Sequence, residues 1–200
     1  MAKFLLIRHG NTDMVDKVLA GRMPGVRLNE EGIAQAAAVA ERLSSLPLSG
    51  IFSSPLERTI ETARPIALKH SLEIEIRSGL IEVETGEWTG MRMADLDSRT
   101  RWQLFNSFRT GTRIPGGETI LEVQKRMVEE IETLRGNFPE GVIAVVSHGD
   151  PIKTVIAYYA GIPLDFWGRI TIGTGSVSVL QIEDWGASVL CLNHTGQISI

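Results

Sequence analysis

The sequence contains one cysteine, Cys191, in 200 residues. An internal disulfide and a Cys-x-x-Cys metal or redox pair are therefore both excluded. Such usage fits a reducing compartment, so a cytoplasmic location is expected. No apolar stretch approaches the roughly 20 residues that a membrane-spanning helix needs. The run Phe4-Leu5-Leu6-Ile7 is also shorter than the roughly 7 to 15 residues of a signal-peptide core. A basic surplus is missing as well: 20 Lys and Arg stand against 24 Asp and Glu, a formal net charge of −4. That balance argues against a general nucleic-acid or membrane-surface binder. Neither an internal repeat nor a low-complexity tract interrupts the chain. With 43% hydrophobic residues, residues 1–200 suit one domain with a substantial core.

What the sequence does contain is the same local statement made twice. Phe4-Leu5-Leu6-Ile7 runs into Arg8-His9-Gly10, and Val142-Ile143-Ala144-Val145-Val146 runs into Ser147-His148-Gly149. Each apolar run reads as a strand buried on both faces. Ligands of open α/β sheets sit beyond the carboxyl ends of such strands, so His9 and His148 can converge on one site. His70 and His194 lack that context and read as surface or packing residues.

Strand and helix signals alternate along the chain, the pattern of a largely parallel sheet. Asn29 caps a helix expected over 30–46, with Ile33, Ala36, Ala37, Ala40 and Leu43 on its inner face. After a short strand at 50–53, Ser54, Pro55 and Glu57 have the spacing of a capping box with proline at the first helical position. Pro65 should kink or end that helix, and 72–77 is a candidate strand. Thr119 and Glu122 form a second capping box before Ile120, Val123, Met127, Ile131 and Leu134. Asp150 and Pro151 open a helix that Gly161 can close. The tail reads as two strands, 176–182 and 188–193, around a turn. Between the 72–77 strand and the Thr119 helix, residues 82–117 are irregular, with Trp88, Trp102, Phe105 and Phe108, and read as an insert over the sheet.

Phosphoryl chemistry needs fixed positive charge on the nonbridging oxygens, an in-line nucleophile and a proton for the leaving oxygen. Arg8 and Arg58, both at strand-to-helix junctions, offer bidentate donors that stay charged at physiological pH. The start of the helix after Ser54 adds free amides and a partial positive charge. The alternative for Arg58 is an exposed pair with Glu57 or Glu61.

Five segments occur in a telling order: Phe4 to Thr12, Ser53 to Thr59 with Thr62-Ala63, Leu80-Ile81-Glu82 with Gly86-Glu87-Trp88-Thr89-Gly90, Pro115-Gly116-Gly117-Glu118-Thr119, and Val146-Ser147-His148-Gly149. Over residues 3 to about 175 the chain resembles the histidine phosphatase superfamily, in its phosphoglycerate mutase-like branch. The resemblance implies a three-layer α/β/α sandwich with a mostly parallel sheet, the segment 83–117 lying over the active site. It implies that His9 is the nucleophile and becomes a phosphohistidine, that Arg8, Arg58 and His148 hold the phosphoryl group, and that Glu82 protonates the leaving alcohol. No metal and no other cofactor is implied. Glu84 and Glu87 are neighbouring alternatives for the acid. Family members commonly carry Asn where this chain has Val15 and Gln where it has Pro24. Thr12, or Arg22 with the 21–25 amides, is the candidate replacement, and Gly149 joins the substrate-binding set.

The longer mutases of the family enclose their substrate with an insertion, whereas only 32 residues separate Glu82 from Pro115 here. A shorter lid admits water. The expected activity is therefore hydrolysis of a small anionic phosphate ester, with phosphoglycerate mutase and a noncatalytic phospholigand-binding module as alternatives. Arg92, Arg99, Arg101, Arg109 and Arg113 outnumber Asp95 and Asp97 in the insert. One or more of them is expected to recruit a second anionic group of the substrate; the plainer reading is a solubilising surface. The partner is a small molecule, and oligomeric state is not legible.

Overall fold

Strands and helices form where the apolar runs and caps place them, and a computed structural model describes residues 1–198. Strands β1 (Ala2–Arg8), β2 (Leu48–Ser53), β3 (Ile74–Ile76), β4 (Val142–Ser147), β5 (Val177–Glu183) and β6 (Gly186–His194) make one sheet, ordered β3-β2-β4-β1-β5-β6. The first four in that order are parallel neighbours, and β5 and β6 add an antiparallel edge. The central strands β1 and β4 are covered on both faces, which is why their sequences are apolar without alternation.

Alternate residues of β1 serve opposite layers. Phe4 and Leu6 pack with Ile120, Val123, Met127, Ile152 and Val155 of helices α5 (Ile120–Asn137) and α6 (Gly149–Tyr159). Leu5 and Ile7 pack with Val39, Ala40, Leu43, Ala63 and Ile66 of helices α1 (Glu30–Leu43) and α2 (Glu57–His70). Two short helices, α3 (Met93–Asp97) and α4 (Thr100–Ser107), belong to the segment between Glu82 and Pro115. The result is the three-layer sandwich.

Three local expectations change. Helix α1 stops at Leu43 and buries Gly32, Ala36, Val39, Ala40 and Leu43, while Ile33 is 60% exposed and Ala37 also faces solvent. The face is rotated because Gly32 must lie against the loop after β1: a Cβ on Gly10 would overlap the Gly32 carbonyl, and one on Gly32 would overlap Asn11. The capping box at Ser54 does not form; Leu56 occupies the cap position without a side-chain bond. Both intended members bond elsewhere, Ser54 Oγ to His148 Nε2 at 2.8 Å and Glu57 Oε1 to the Gly25 amide at 2.9 Å. Pro65 neither ends nor precedes a break: it lies inside α2. The burial of Ala63 and Ile66 on the sheet outweighs the roughly 3 kcal/mol that an internal proline costs a helix. The Thr119 box, by contrast, is complete, with Thr119 Oγ1 accepting from the Glu122 amide at 3.2 Å and Glu122 returning the bond at 2.8 Å.

Candidate active site

The carboxyl ends of β1, β2 and β4 lie side by side, since Arg8 pairs with Ser147 and Ser53 with Val146. His9 leaves the end of β1 with its amide bonded to the Ser147 carbonyl at 3.0 Å. His148 leaves β4 as the cap residue of α6. Arg58 sits in the first turn of α2, directly after β2. A cleft of about 360 Å³ opens over these ends, lined among others by Arg8, His9, Thr12, Arg58, Glu82 and Gly149.

The geometry around the histidines is specific. Their rings meet edge-on with centroids 5.2 Å apart. His9 Nδ1 lies 2.7 Å from the Gly10 carbonyl oxygen, which can only accept, so Nδ1 carries the proton and Nε2 keeps its lone pair. Burial, followed by the charges of Arg58 and Arg8, holds the His9 pKa well below its ordinary value. His9 is therefore a neutral imidazole with a free basic nitrogen. Burial likewise lowers His148, which Ser54 holds through Nε2; its Nδ1 is buried without a hydrogen bond, 3.7 Å from Glu82 Oε2.

Arg58 is 2% exposed and donates from Nη2 to the Gly21 carbonyl at 2.8 Å, which leaves Nη1 buried and unpartnered. The exposed-pair alternative for Arg58 does not apply. Arg8 donates from Nη1 to the Ile172 carbonyl at 2.6 Å, and its Nε is again an orphan. Gly149 lies against Arg8, where a Cβ would stand 3.4 Å from the guanidinium carbon. Buried donors without acceptors are uncommon in folded proteins. Two such nitrogens, Arg58 Nη1 and Arg8 Nε, belong to side chains that line one cleft, while the orphan His148 Nδ1 lies buried 3.7 Å from Glu82 Oε2; the two guanidinium groups have the charge to hold an oxyanion.

Glu82 brings a carboxyl group to the same cleft. Burial, reinforced by Asp150, raises its pKa to about 7 against the opposing pull of Arg58 and Arg8. Its Oε1 accepts from the Val83 amide at 2.9 Å. Neither Glu84 nor Glu87 lines the cleft. Ser147 Oγ donates to the Leu80 carbonyl at 2.7 Å, tying the end of β4 to the segment that carries Glu82.

Thr12 is buried and lines the cleft, whereas Arg22 does not. Arg22 is turned to the back of Glu82: Nε donates to the Glu82 carbonyl at 2.8 Å, and the guanidinium pairs with Glu118 at 2.9 Å and Glu84 at 3.2 Å. Two carboxylates outbid the open cleft for its charge, so its expected place among substrate ligands is corrected to that of a strut. Val15 lines the cleft as an apolar side chain, and Pro24 stands outside it.

Several residues at the site escaped the sequence reading. Arg126 of α5 donates to the carbonyls of Gly79, Ile81 and Glu82 and pairs with Glu118 at 3.0 Å. It read only as part of an amphipathic helix. Lys153 lines the cleft, and a signal for it existed, because it follows Gly149 by four residues on one helix face. Asn106 and Trp167 line it too, and neither lies in a periodic segment that could have announced it. Of the insert arginines, Arg109 alone reaches the cleft. Arg92 pairs with Asp95, Arg113 with Glu122, and Arg101 donates to the Arg113 carbonyl.

A family model described as the histidine phosphatase superfamily (branch 1) matches residues 4–195. The chain is similar to phosphoserine phosphatase 1 of Hydrogenobacter thermophilus, 30% identical over 204 residues covering 98% of this chain and 93% of that one. It is similar as well to a probable phosphoglycerate mutase of Salmonella choleraesuis, 30% identical over 212 residues covering 100% and 94%. Among solved structures, a phosphoserine phosphatase of Entamoeba histolytica in complex with 3-phosphoglyceric acid superposes with a TM-score of 0.87 at 26% identity, covering 97% of this chain and 98% of the other.

Proposed function

The chain belongs to the histidine phosphatase superfamily, and from that premise we propose that it hydrolyses small anionic phosphate monoesters through a phosphohistidine on His9, without a metal. The observation that carries the reading is the neutral His9 with its Nε2 lone pair free, set among the unpartnered donors of Arg8, Arg58 and His148.

The ester phosphoryl group binds with its oxygens on Arg8 Nε, Arg58 Nη1 and His148 Nδ1. In this reading the Ser54 hydroxyl, 2.8 Å from His148 Nε2, is the donor of that bond, which puts the His148 proton on Nδ1 for the phosphoryl oxygens. His9 Nε2 attacks phosphorus and the bond to the ester oxygen breaks. Glu82, protonated below about pH 7, gives its proton to that departing oxygen. Water then attacks the phosphohistidine, and the Glu82 carboxylate takes a proton from it. Inorganic phosphate, free His9 and protonated Glu82 result. Positive charge fixed before the reaction stabilises the transition state without reorganisation.

Hydrolysis is favoured over mutase transfer because only 32 residues separate Glu82 from Pro115, a short lid that admits water. The same reading takes residues 1–200 as one catalytic unit and, with a single cysteine, assigns it to the cytoplasm. No described helix is long and apolar enough to cross a membrane. Incubation with p-nitrophenyl phosphate in EDTA, with acid-labile phosphate trapped on the protein by rapid quench, tests the proposal. Turnover in EDTA with label on His9 is expected. A protein that binds phosphate without turnover would instead be a phospholigand-binding module, and turnover lost in EDTA would overturn the metal-free mechanism.

A further inference from the structure

Opposite the phosphoryl end, the cleft carries a second concentration of donors that hydrolysis of a phosphate ester does not require. Arg109, from the turn after α4, is clamped between two aromatic faces, its guanidinium carbon 4.6 Å from the Phe105 centroid and 4.0 Å from that of Trp167. Its only side-chain hydrogen bond among the described residues goes to the amide oxygen of Asn106, and none of their carboxylates lies within ion-pair distance of it. Burial lowers its pKa to about 10 against the opposing charges of Asp150 and Asp165, so it remains charged at neutral pH while being partly stripped of water. Lys153 stands over the same indole, 4.5 Å from its centroid, with Asp150 at 3.5 Å. The indole itself is 1% exposed and lines the cleft, and its N–H has no acceptor.

The clamp is held from behind. Asp165, the carboxylate nearest in sequence to Trp167, is used on the chain next to Arg109: its two oxygens accept from the Thr110 amide and hydroxyl at 2.8 Å each. The aromatic faces fix the plane of the guanidinium, which removes side-chain freedom before any ligand arrives. A planar cation without a carboxylate partner, an ammonium beside it and a buried orphan N–H together fit an oxyanion.

We propose that Arg109, Lys153 and the Trp167 N–H form a second anion subsite, which selects phosphate esters whose leaving group carries its own carboxylate or phosphate. This rests on the phosphatase reading for the first end of the cleft. The subsite joins the insert to α6, so it is assembled only when both walls of the cleft are in place.

The test compares kcat/KM for glycerol 2-phosphate, whose leaving group is uncharged, with 3-phosphoglycerate and with fructose 1,6-bisphosphate. The wild type prefers at least one anionic substrate. In Arg109→Gln the preference ratio falls about 10- to 100-fold, the range for losing a charged hydrogen bond, chiefly through KM. Arg109→Lys retains part of the preference, and Lys153→Met reduces it by a smaller factor. A response confined to 3-phosphoglycerate identifies a carboxylate, and one confined to the bisphosphate a phosphate. A wild type without preference, or a ratio unmoved in Arg109→Gln, overturns the subsite even if hydrolysis is vigorous. Should the protein hydrolyse none of the three, the phosphatase reading fails instead. Calorimetric titration of wild type and Arg109→Gln with 3-phosphoglycerate and glycerol 2-phosphate then decides the subsite by the same ratio.

Discussion

At one end of the site, His9 and His148 directly follow β1 and β4 and Arg58 opens the helix after β2, and the three are 4%, 0% and 2% exposed. At the other end, Arg109 follows a helix of eight residues that buries only Phe105. The first set is fixed by the parallel register of β1, β2 and β4, whose buried apolar residues would all have to move for the histidines to part. Arg109 itself is fixed by two aromatic faces and one hydrogen bond. Reaction chemistry thus rests on the part of the molecule that is hardest to deform. Recognition of the leaving group, as proposed, rests on side chains from a loop, a short helix and α6, packed on the core through Phe105 and Trp167 but outside the strand register.

If that division holds, damage at the sheet ends should affect every substrate alike. The largest effect is expected for His9→Ala: a fall in kcat on the order of 10⁴-fold or more for all esters, with no phosphoprotein on rapid quench. A loss confined to some substrates would break the comparison. Glu82→Gln comes next, with about 10²- to 10⁴-fold lost in kcat. Its pH profile sharpens the assignment. Glu82 must be protonated to act, and its pKa is raised to about 7, so wild-type kcat/KM, corrected for substrate ionisation, falls as pH rises through about 7. The depressed pKa of His9 keeps the nucleophile neutral well below that point. The falling limb should be absent in Glu82→Gln; its persistence would transfer the acid role elsewhere.

A smaller effect is expected where the support of Glu82 is cut. Arg22→Ala removes one of the two guanidinium bonds to the Glu82 carbonyl and should lower kcat about tenfold, because a small displacement of a catalytic group is magnified in rate. KM should be little changed and the pH limb shifted. A rise in KM with kcat preserved would restore Arg22 to the substrate ligands. Smallest is Thr119→Ala, which deletes the complete capping box of α5 and should cost about 1 kcal/mol of stability, read as a lower denaturation midpoint with the rate intact.

Much of the sheet was legible because buried parallel strands leave continuous apolar runs, and those runs stop where the chain meets the cleft. The Thr119 cap and the buried stripe from Ile120 to Leu134 were legible because every signal they need lies within a few residues. The Ser54 box was misread for the opposite reason. Its local spacing is good, but Ser54 Oγ is claimed by a histidine 94 positions away in sequence. Arg22 had the same fate, since Glu118 and Glu84 reach it only after the chain has folded.

By itself the sequence determined that the chain is an α/β protein with two histidine-bearing strand ends, and its ordered motifs determined the family, because those features are written in short, contiguous segments. The tertiary structure alone decided which ring nitrogen of His9 is free, which arginine faces the cleft rather than a carboxylate, and that Lys153 and Trp167 stand beside Arg109. Each depends on competition among partners distant in sequence for one polar atom or one ring face, and such competition is settled only when all the partners are in place.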